Sequence, residues 1–135
     1  MCYNDFNGQR ETPCTVKIKT YGGGLDSDIS AEGTCKTFNG GAMVNYLTDG
    51  DKTEFFFKAG SAEYIRSGLQ LIRMPFKEGE TTLCEIGYGN MKGSFEVLTR
   101  KIEILSAVHG HRVRLEYESG QDGEKVELSF TVIYK

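Results

Sequence analysis

The stretch from Lys125 to Lys135 constrains the fold most strongly, because apolar and polar residues alternate along it. Every even position from Val126 to Tyr134 is apolar, whereas the odd positions up to Thr131 are charged or carry a hydroxyl group. A helix built from these residues would carry apolar groups all the way round, whereas a strand places them on one face. The stretch therefore predicts a β-strand in a sheet with one buried face.

Shorter alternating segments precede this strand and are separated by turn signals. Asn39-Gly40-Gly41 and Asp49-Gly50 are typical of tight hairpin turns, and no segment makes a convincing helix. Consecutive hairpins pair each strand with its neighbours, and closure of the sheet removes the exposed edges. We therefore predict an all-β fold: a single up-and-down antiparallel β-barrel of about 8–10 strands with little or no helix.

One segment changes the phase of its alternation. Phe95 and Val97 are apolar at odd positions, whereas Leu98, Ile102 and Ile104 are apolar at even positions. A regular strand cannot turn both sets inward, because side chains alternate between the two faces. An extra residue in the strand would restore the phase, so we predict a β-bulge or a bend between Leu98 and Ile102.

Composition and charge exclude several classes of protein. The chain has 135 residues, of which 39% are hydrophobic and 26% charged, as expected for one globular domain. A net charge of -3 and the lack of a long basic run argue against a nucleic-acid partner. No apolar run approaches the roughly 20 residues of a membrane span. We expect a flexible lead-in over residues 1–11 and one barrel domain over residues 12–135. Because no secretory signal is visible, we also expect a cytoplasmic setting without a membrane partner.

A family resemblance supports the barrel. The residues that carry it are Ile65-Arg66-Ser67-Gly68, Met74-Pro75-Phe76, Gly79, Thr82, Thr99, Ile102 and the closing Tyr134. With this pattern the chain resembles the YwiB-like proteins, a bacterial family of uncharacterised function with a calycin-like (lipocalin-like) β-barrel. The resemblance covers roughly residues 12–135, and it implies a barrel, a bacterial source and a cytoplasmic setting. It supplies no catalytic residues to carry over.

The cysteines and histidines do not form a convincing reactive or metal site. The four cysteines are widely spread, without C-x-x-C spacing, and we interpret them as reduced thiols. His109-Gly110-His111 followed by Glu116 is similar to the first metal motif of the cupins. However, Glu103 stands where that motif has a glycine, and the chain contains only two histidines. We therefore expect two histidines at an exposed turn, and we predict no metal, no cofactor and no catalytic residue.

The side chains that point into the barrel are the candidates for function. Two interpretations remain open: these side chains fill the barrel as a core, or they line an apolar pocket with a few polar groups. An arginine inside a barrel needs a carboxylate partner or an acidic ligand, because an isolated buried charge is costly. Arg66 attracts attention for this reason, with a salt bridge at the hairpin end as the alternative. The candidate ligand-binding residues are Arg66, Arg73, Thr82, Val113, Leu115, Tyr117, Phe130 and Tyr134.

Three functional hypotheses follow from these patterns. The first is a non-enzymatic, calycin-like barrel that binds a small apolar or amphipathic ligand in its lumen. The alternative is a protein-interaction or structural module that acts through its outer surface. It is motivated by Phe55-Phe56-Phe57, whose apolar side chains occupy both faces of a strand. A homodimer is left undecided. The third and least favoured hypothesis is a cupin-like metal enzyme that uses His109 and His111.

Overall fold

Ten β-strands follow one another along the chain, and none of the described residues lies in a helix. The structure is a computed structural model that describes residues 11–22, 26–119 and 123–135. The predicted lead-in therefore lies outside the described residues, except for Glu11, with which the first strand begins. The strands are β1 (Glu11–Tyr21), β2 (Ser27–Phe38), β3 (Gly41–Thr48), β4 (Asp51–Lys58), β5 (Ser61–Ser67), β6 (Gln70–Lys77), β7 (Thr81–Tyr88), β8 (Met91–Ala107), β9 (Gly110–Ser119) and β10 (Glu124–Tyr134).

The strands form one closed barrel. Each strand pairs antiparallel with its neighbours in sequence, and β1 pairs with β10 to complete the ring. At this junction Cys14 lies opposite Tyr134, and Ile18 lies opposite Phe130. The predicted all-β, up-and-down antiparallel barrel is therefore confirmed. No helix among the described residues is long and apolar enough to span a membrane.

Large side chains fill the middle of the barrel. The rings of Phe55 and Phe130 stack with their centroids 4.2 Å apart, and Phe57 lies 5.8 Å from Phe55. This central layer, which we call the plug, consists of side chains that expose at most 2% of their surface: Val16, Val44, Phe55, Phe57, Val113, Leu115, Phe130 and Val132. The barrel is therefore not hollow along its length.

The predicted β-bulge is present in β8. Thr99 pairs with Tyr117 and Lys101 with Glu116, so that Arg100 is the extra residue between them. Because of this insertion, Thr99 and Ile102 are both buried although their positions differ in parity. The long strand β8 can thus turn Val97 inward in its first half and Ile102 and Ile104 inward in its second half, whereas Leu98 lies on the face opposite to Val97.

The antiparallel order gives the barrel two chemically different ends. The end that carries the β3–β4 and β5–β6 turns is called the first end. The second end is the one at which β2 turns into β3 and β8 turns into β9, and β10 finishes there. The plug lies between the two ends, so that a group at one end does not contact a group at the other.

Removing a ring from the plug tests its contribution to stability. We expect Phe130→Ala to lower the free energy of unfolding by about 3–5 kcal/mol, because the stacked ring leaves a cavity that its neighbours only partly fill. The measurement is urea denaturation monitored by circular dichroism. Leu105→Ala, on the exposed face of β8, is the control and should change the free energy by no more than about 0.5 kcal/mol. Equal losses in both variants would contradict a packed centre.

Candidate functional site

A cavity of about 570 Å³ opens at the first end of the barrel. Its size lies within the range of pockets that hold small molecules. Most of its wall is apolar or aromatic, and a few hydroxyl groups and charged groups interrupt the apolar surface. The described residues that line it are Ile18, Thr20, Asp26, Ser27, Ile29, Tyr46, Thr48, Phe55, Tyr64, Arg66, Met74, Phe76, Tyr117 and Leu128.

Aromatic rings form the deep part of this cavity. Phe55, which belongs to the plug, closes it from below, and the ring of Tyr46 lies 5.9 Å from that of Phe130. On the opposite wall, Phe76 and Tyr117 pack with their ring centroids 5.1 Å apart. A ligand that entered here would therefore meet a rigid apolar floor, because closely packed aromatic side chains have little freedom to move.

The cation among the described residues of the cavity lining is Arg66, which exposes only 17% of its side chain. Its Nε donates to Oδ2 of Asp51 over 3.0 Å. The same carboxylate accepts the backbone N–H groups of Leu69 at 3.1 Å and Gln70 at 3.3 Å. The bond from Leu69 above all, with help from Arg66 and Gln70, holds the pKa of Asp51 below its usual value. Asp51 is thus ionised and anchors Arg66 at the cavity.

Gly68 permits this close approach of the carboxylate to the β5–β6 turn. Its φ of 151° lies outside the range that other residues readily adopt. A Cβ atom at this position would lie 2.1 Å from Oδ1 of Asp51, well inside contact distance. The sequence Arg66-Ser67-Gly68 therefore supplies both the cation and the turn that accommodates its partner.

Two tyrosines stand beside Arg66. The Tyr46 hydroxyl is buried and has no hydrogen-bond partner among the described residues, although buried polar groups are nearly always paired. Burial raises the pKa of Tyr46 and of Tyr64, and the nearby Arg66 opposes the shift in both. Both phenols are therefore neutral and can donate a hydrogen bond. An acceptor placed in the cavity would satisfy the Tyr46 hydroxyl.

The predicted ligand residues do not converge on one site. Arg66 and Tyr117 line the first-end cavity, whereas Tyr134 lies at the second end. The predicted strand order could have assigned these residues to different ends of the barrel. Odd-numbered strands finish at the first end and even-numbered strands at the second. Three of the predicted residues belong to the plug: Val113, Leu115 and Phe130. They are packed core and not an open lining.

Thr82 and Arg73 also lie away from the cavity. Thr82 is half-buried and donates its hydroxyl to the carbonyl of Pro75. Arg73 lies on the outer face, where its Nε donates to Glu63 over 2.9 Å and 57% of its side chain is exposed. The expectation that Arg73 faces the lumen is therefore wrong. The segment around it, Leu69–Phe76, has apolar residues at both parities, so alternation does not assign its inner face.

Several lining residues were missed by sequence reasoning. Tyr46 and Tyr64 each have one polar and one apolar neighbour on β3 and β5, so alternation alone does not assign their inward direction. Asp51 could not be found in this way either, because an acidic residue after Asp49-Gly50 is typical of an exposed turn. Its role depends on contact with the β5–β6 turn, which is distant in sequence.

The histidine motif does not assemble a metal site. His109 is exposed on the β8–β9 turn, while the half-buried His111 points into the second end. Glu116 lies on the outer face of β9, on the side opposite to His111. Within the described ranges, no group of three or more His, Cys, Asp or Glu side chains is arranged to hold a metal ion.

The phenylalanine triplet does not form an outward apolar face. Phe55 and Phe57 belong to the plug and are 1% exposed. Only Phe56 points outward, where it is half-buried and its ring lies 5.9 Å from that of Phe38. The triplet therefore gives no support to a contact surface on the outer wall.

The fold and the cavity define the class of protein: a ten-stranded up-and-down barrel with an apolar cavity at one end. Residues 12–130 match the model of a family described as "Domain of unknown function (DUF1934)", and the chain belongs to that family. The crystal structure of the ywiB protein from Bacillus subtilis superposes with a TM-score of 0.81 over 96% of each chain, at 19% identity. The predicted YwiB-like family is thereby confirmed. No curated protein matches the sequence.

A substitution at Gly68 tests the packing of the turn against Asp51. We expect Gly68→Ala to lower stability more than Gly79→Ala, because only at residue 68 does the new methyl group collide with another side chain. Gly79 also has a positive φ, of 81°, but open space around it, so its variant reports backbone strain alone, about 1–2 kcal/mol. Thermal unfolding followed by circular dichroism provides the measurement. Equal losses would show that Asp51 does not occupy this position.

The ionisation of Asp51 predicts a pH dependence of stability. Its pKa is lowered by folding, so the stabilisation is present above the ordinary value of 3.8 and is lost as the pH falls below it. We expect the difference in unfolding free energy between the wild type and Asp51→Asn to be largest near neutral pH and to shrink in acid. Urea titrations at several pH values measure it. A difference that is independent of pH would contradict an ionised Asp51 in the folded protein.

Proposed function

We propose that the protein binds a small amphipathic molecule in the first-end cavity. The apolar part of the ligand lies against the aromatic floor, and a head group that accepts hydrogen bonds faces Arg66. The observation that carries this proposal is the Tyr46 hydroxyl beside the guanidinium of Arg66, in an otherwise largely apolar wall, for which the described part of the chain offers no hydrogen-bond partner. A buried donor without an acceptor destabilises the protein, and a ligand acceptor would remove that cost.

The geometry of Arg66 favours an anionic head group. Asp51 engages the guanidinium through Nε alone, in contrast to the two-pronged pairing that arginine and a carboxylate often form. Asp51 is also bonded to two backbone N–H groups, which compete with Arg66 for its negative charge. The terminal nitrogens of Arg66 can therefore accommodate a carboxylate or a similar anion.

The charge at the cavity mouth adds selectivity. Asp26 is exposed and lines the rim, so an anion held near the surface would meet a like charge. An anion placed deeper, at Arg66, Tyr46 and Tyr64, would be matched by one cation and two neutral hydroxyl donors. A ligand with a singly charged anionic head group and an apolar tail fits this arrangement best.

The proposal is one of binding and not of catalysis. The described residues that line the first-end cavity include no histidine and no cysteine, and its phenols are held neutral by burial. The Tyr117 phenol is also neutral, since burial raises its pKa to about 12. These groups can orient a ligand, but none is activated as a nucleophile or a general base.

A calycin-like relationship and a cytoplasmic setting also belong to this proposal. A meander barrel with a ligand cavity at one end supports a calycin-like relationship. A cytoplasmic setting is supported by Cys14, Cys35 and Cys84, which are buried free thiols. Burial raises the pKa of Cys14 and of Cys84 to about 11, so these thiols are unreactive and resemble small apolar side chains.

Binding of decanoate and decanol by isothermal titration calorimetry tests the proposal. We expect the wild type to bind both compounds and to prefer decanoate. Arg66→Met should weaken decanoate binding about 10- to 100-fold, the usual effect of losing a hydrogen bond to a charged group. Arg73→Met, on the outer face, is the matched control and should bind like the wild type. Absence of binding for both compounds would contradict the proposed function.

A second variant locates the bound molecule. We expect Leu128→Trp to abolish binding of both compounds, because Leu128 lines the cavity and the larger ring would occupy it. Ile133→Trp, on the exposed face of the same strand, is the control for an added indole. Unchanged binding by Leu128→Trp would place the ligand elsewhere on the protein.

A second candidate function, protein interaction through the outer surface, is favoured by one observation. Large apolar side chains are exposed together near the first end, on β6, β7, β8 and their turns: Leu69, Leu71, Ile86, Tyr88 and Met91. Sedimentation of the wild type and of Leu71→Glu tests for self-association. A monomer at all concentrations would remove the homodimer from consideration.

A further inference from the structure

The second end of the barrel carries a line of hydrogen-bonding side chains that the proposed ligand site does not use. Ser106 Oγ lies 2.8 Å from Nδ1 of His111, and Nε2 of the same ring lies 2.5 Å from the hydroxyl of Tyr134. His111 and Ser106 line an open cavity of about 430 Å³. Since the plug separates this cavity from the first end, its chemistry is independent of the amphipathic ligand.

The imidazole of His111 is fixed in position. The ring of Phe57 packs against it edge-on with centroids 5.4 Å apart, and the ring of Tyr134 does the same at 5.5 Å. The β8–β9 register places Ser106 directly opposite His111, so the two side chains lie side by side on the inner face. Neighbouring strands, and not a mobile loop, therefore hold the serine and the imidazole together.

The hydrogen-bonding groups allow His111 to accept a proton from Ser106. Burial lowers the pKa of His111, so the ring is neutral near pH 7 and has one donating and one accepting nitrogen. Tyr134 can accept the Nε2 proton while its own hydroxyl points to Sγ of Cys35, 4.0 Å away. In this arrangement the lone pair of Nδ1 faces the Ser106 hydroxyl.

We propose that Ser106 and His111 form an acyl-transfer site for small esters at the second end, with Ser106 as the nucleophile, His111 as the general base and Tyr134 as a positioning residue. The distances match those of activated nucleophiles, in which a base lies within hydrogen-bond reach and a third group orients it. Ser106 is exposed, so an ester can reach its oxygen.

The reaction balances with water as the second substrate. Ser106 Oγ forms a bond to the ester carbonyl carbon while its proton passes to Nδ1 of His111. The bond from that carbon to the leaving alcohol then breaks, and the alcohol takes the proton from Nδ1. Water attacks the acyl-serine in the same way, which releases the acid and restores the serine.

Lys58 contributes charge to this cavity. It and His111 are the titratable side chains among the described residues of the lining, which otherwise includes Phe38, Phe57 and Ile104. A lysine ammonium there favours the negative charge that develops on the carbonyl oxygen during attack. The apolar part of the wall accommodates a short acyl chain. The substrate class is therefore a small ester with an apolar acyl group.

Hydrolysis of 4-nitrophenyl acetate, combined with intact-protein mass spectrometry, tests the site. We expect release of 4-nitrophenolate and an added acetyl group that maps to Ser106. Ser106→Ala should lose the adduct, whereas Ser94→Ala, at another exposed serine of β8, should retain it. Absence of an acetyl group on Ser106 in the wild type would overturn the proposal.

The two histidines provide a matched comparison. His111→Gln should slow acetylation of Ser106 by about 10²-fold or more, the usual contribution of a general base. His109→Gln, at the exposed turn two residues away, should leave the rate unchanged. Equal rates in all three proteins would show that neither histidine acts as the base and would overturn the role assigned to His111. Thermal unfolding confirms that each variant is folded.

Tyr134 is tested by the pH profile of acetylation. Tyr134→Phe keeps the ring that packs against His111 but removes the hydroxyl that contacts Nε2. We expect a lower rate at every pH and a shifted midpoint of the profile, because the imidazole loses the partner that orients it. A rate and midpoint equal to those of the wild type would remove Tyr134 from the site. Because this readout concerns Ser106, it is independent of decanoate binding at the other end.

Discussion

The pairing of β1 with β10 is the constraint on which the rest of the structure depends. Once Cys14 lies opposite Tyr134 and Ile18 opposite Phe130, the sheet is a tube of fixed circumference. Every inward side chain must then fit within it, and the large rings of Phe55 and Phe130 occupy its middle. Closure therefore causes both the packed centre and the cavities at the two ends, because the strands are longer than the layer that fills them.

The two openings differ because different residues lie at the ends of the strands. The first end combines one arginine with neutral phenols and aromatic rings, an environment that suits recognition of a polar head group. The second end combines a serine, an imidazole and a phenol in one line, an environment that suits proton transfer. A protein of this size can hold both because the plug screens one set of groups from the other.

Much of the fold was predictable from the sequence, but the site was predictable only in part. The strict alternation around Phe130 identified its inner face, and the change of phase after Val97 located the bulge. Alternation did not show whether Arg73 faces the lumen or the solvent, since apolar residues occupy both odd and even positions around it. Nor could it reveal the contact between Asp51 and the β5–β6 turn, because the pattern within one strand carries no information about the neighbouring turn that covers it.

The extra residue at Arg100 has a consequence for how this barrel tolerates change in length. Loss of Arg100 itself would leave Thr99, Lys101 and Ile102 in regular alternation with the same partners on β9. Loss of a residue from the regular part of the strand, such as Glu103, would instead exchange inside for outside along the remainder of β8. Hairpin tips such as Gly89-Asn90 face no such penalty, since a longer or shorter tip leaves the pairing below it intact. We therefore expect natural variation in length to accumulate at the rims of this barrel and at the bulge beside Thr99, and to be excluded from the regularly paired parts of the wall.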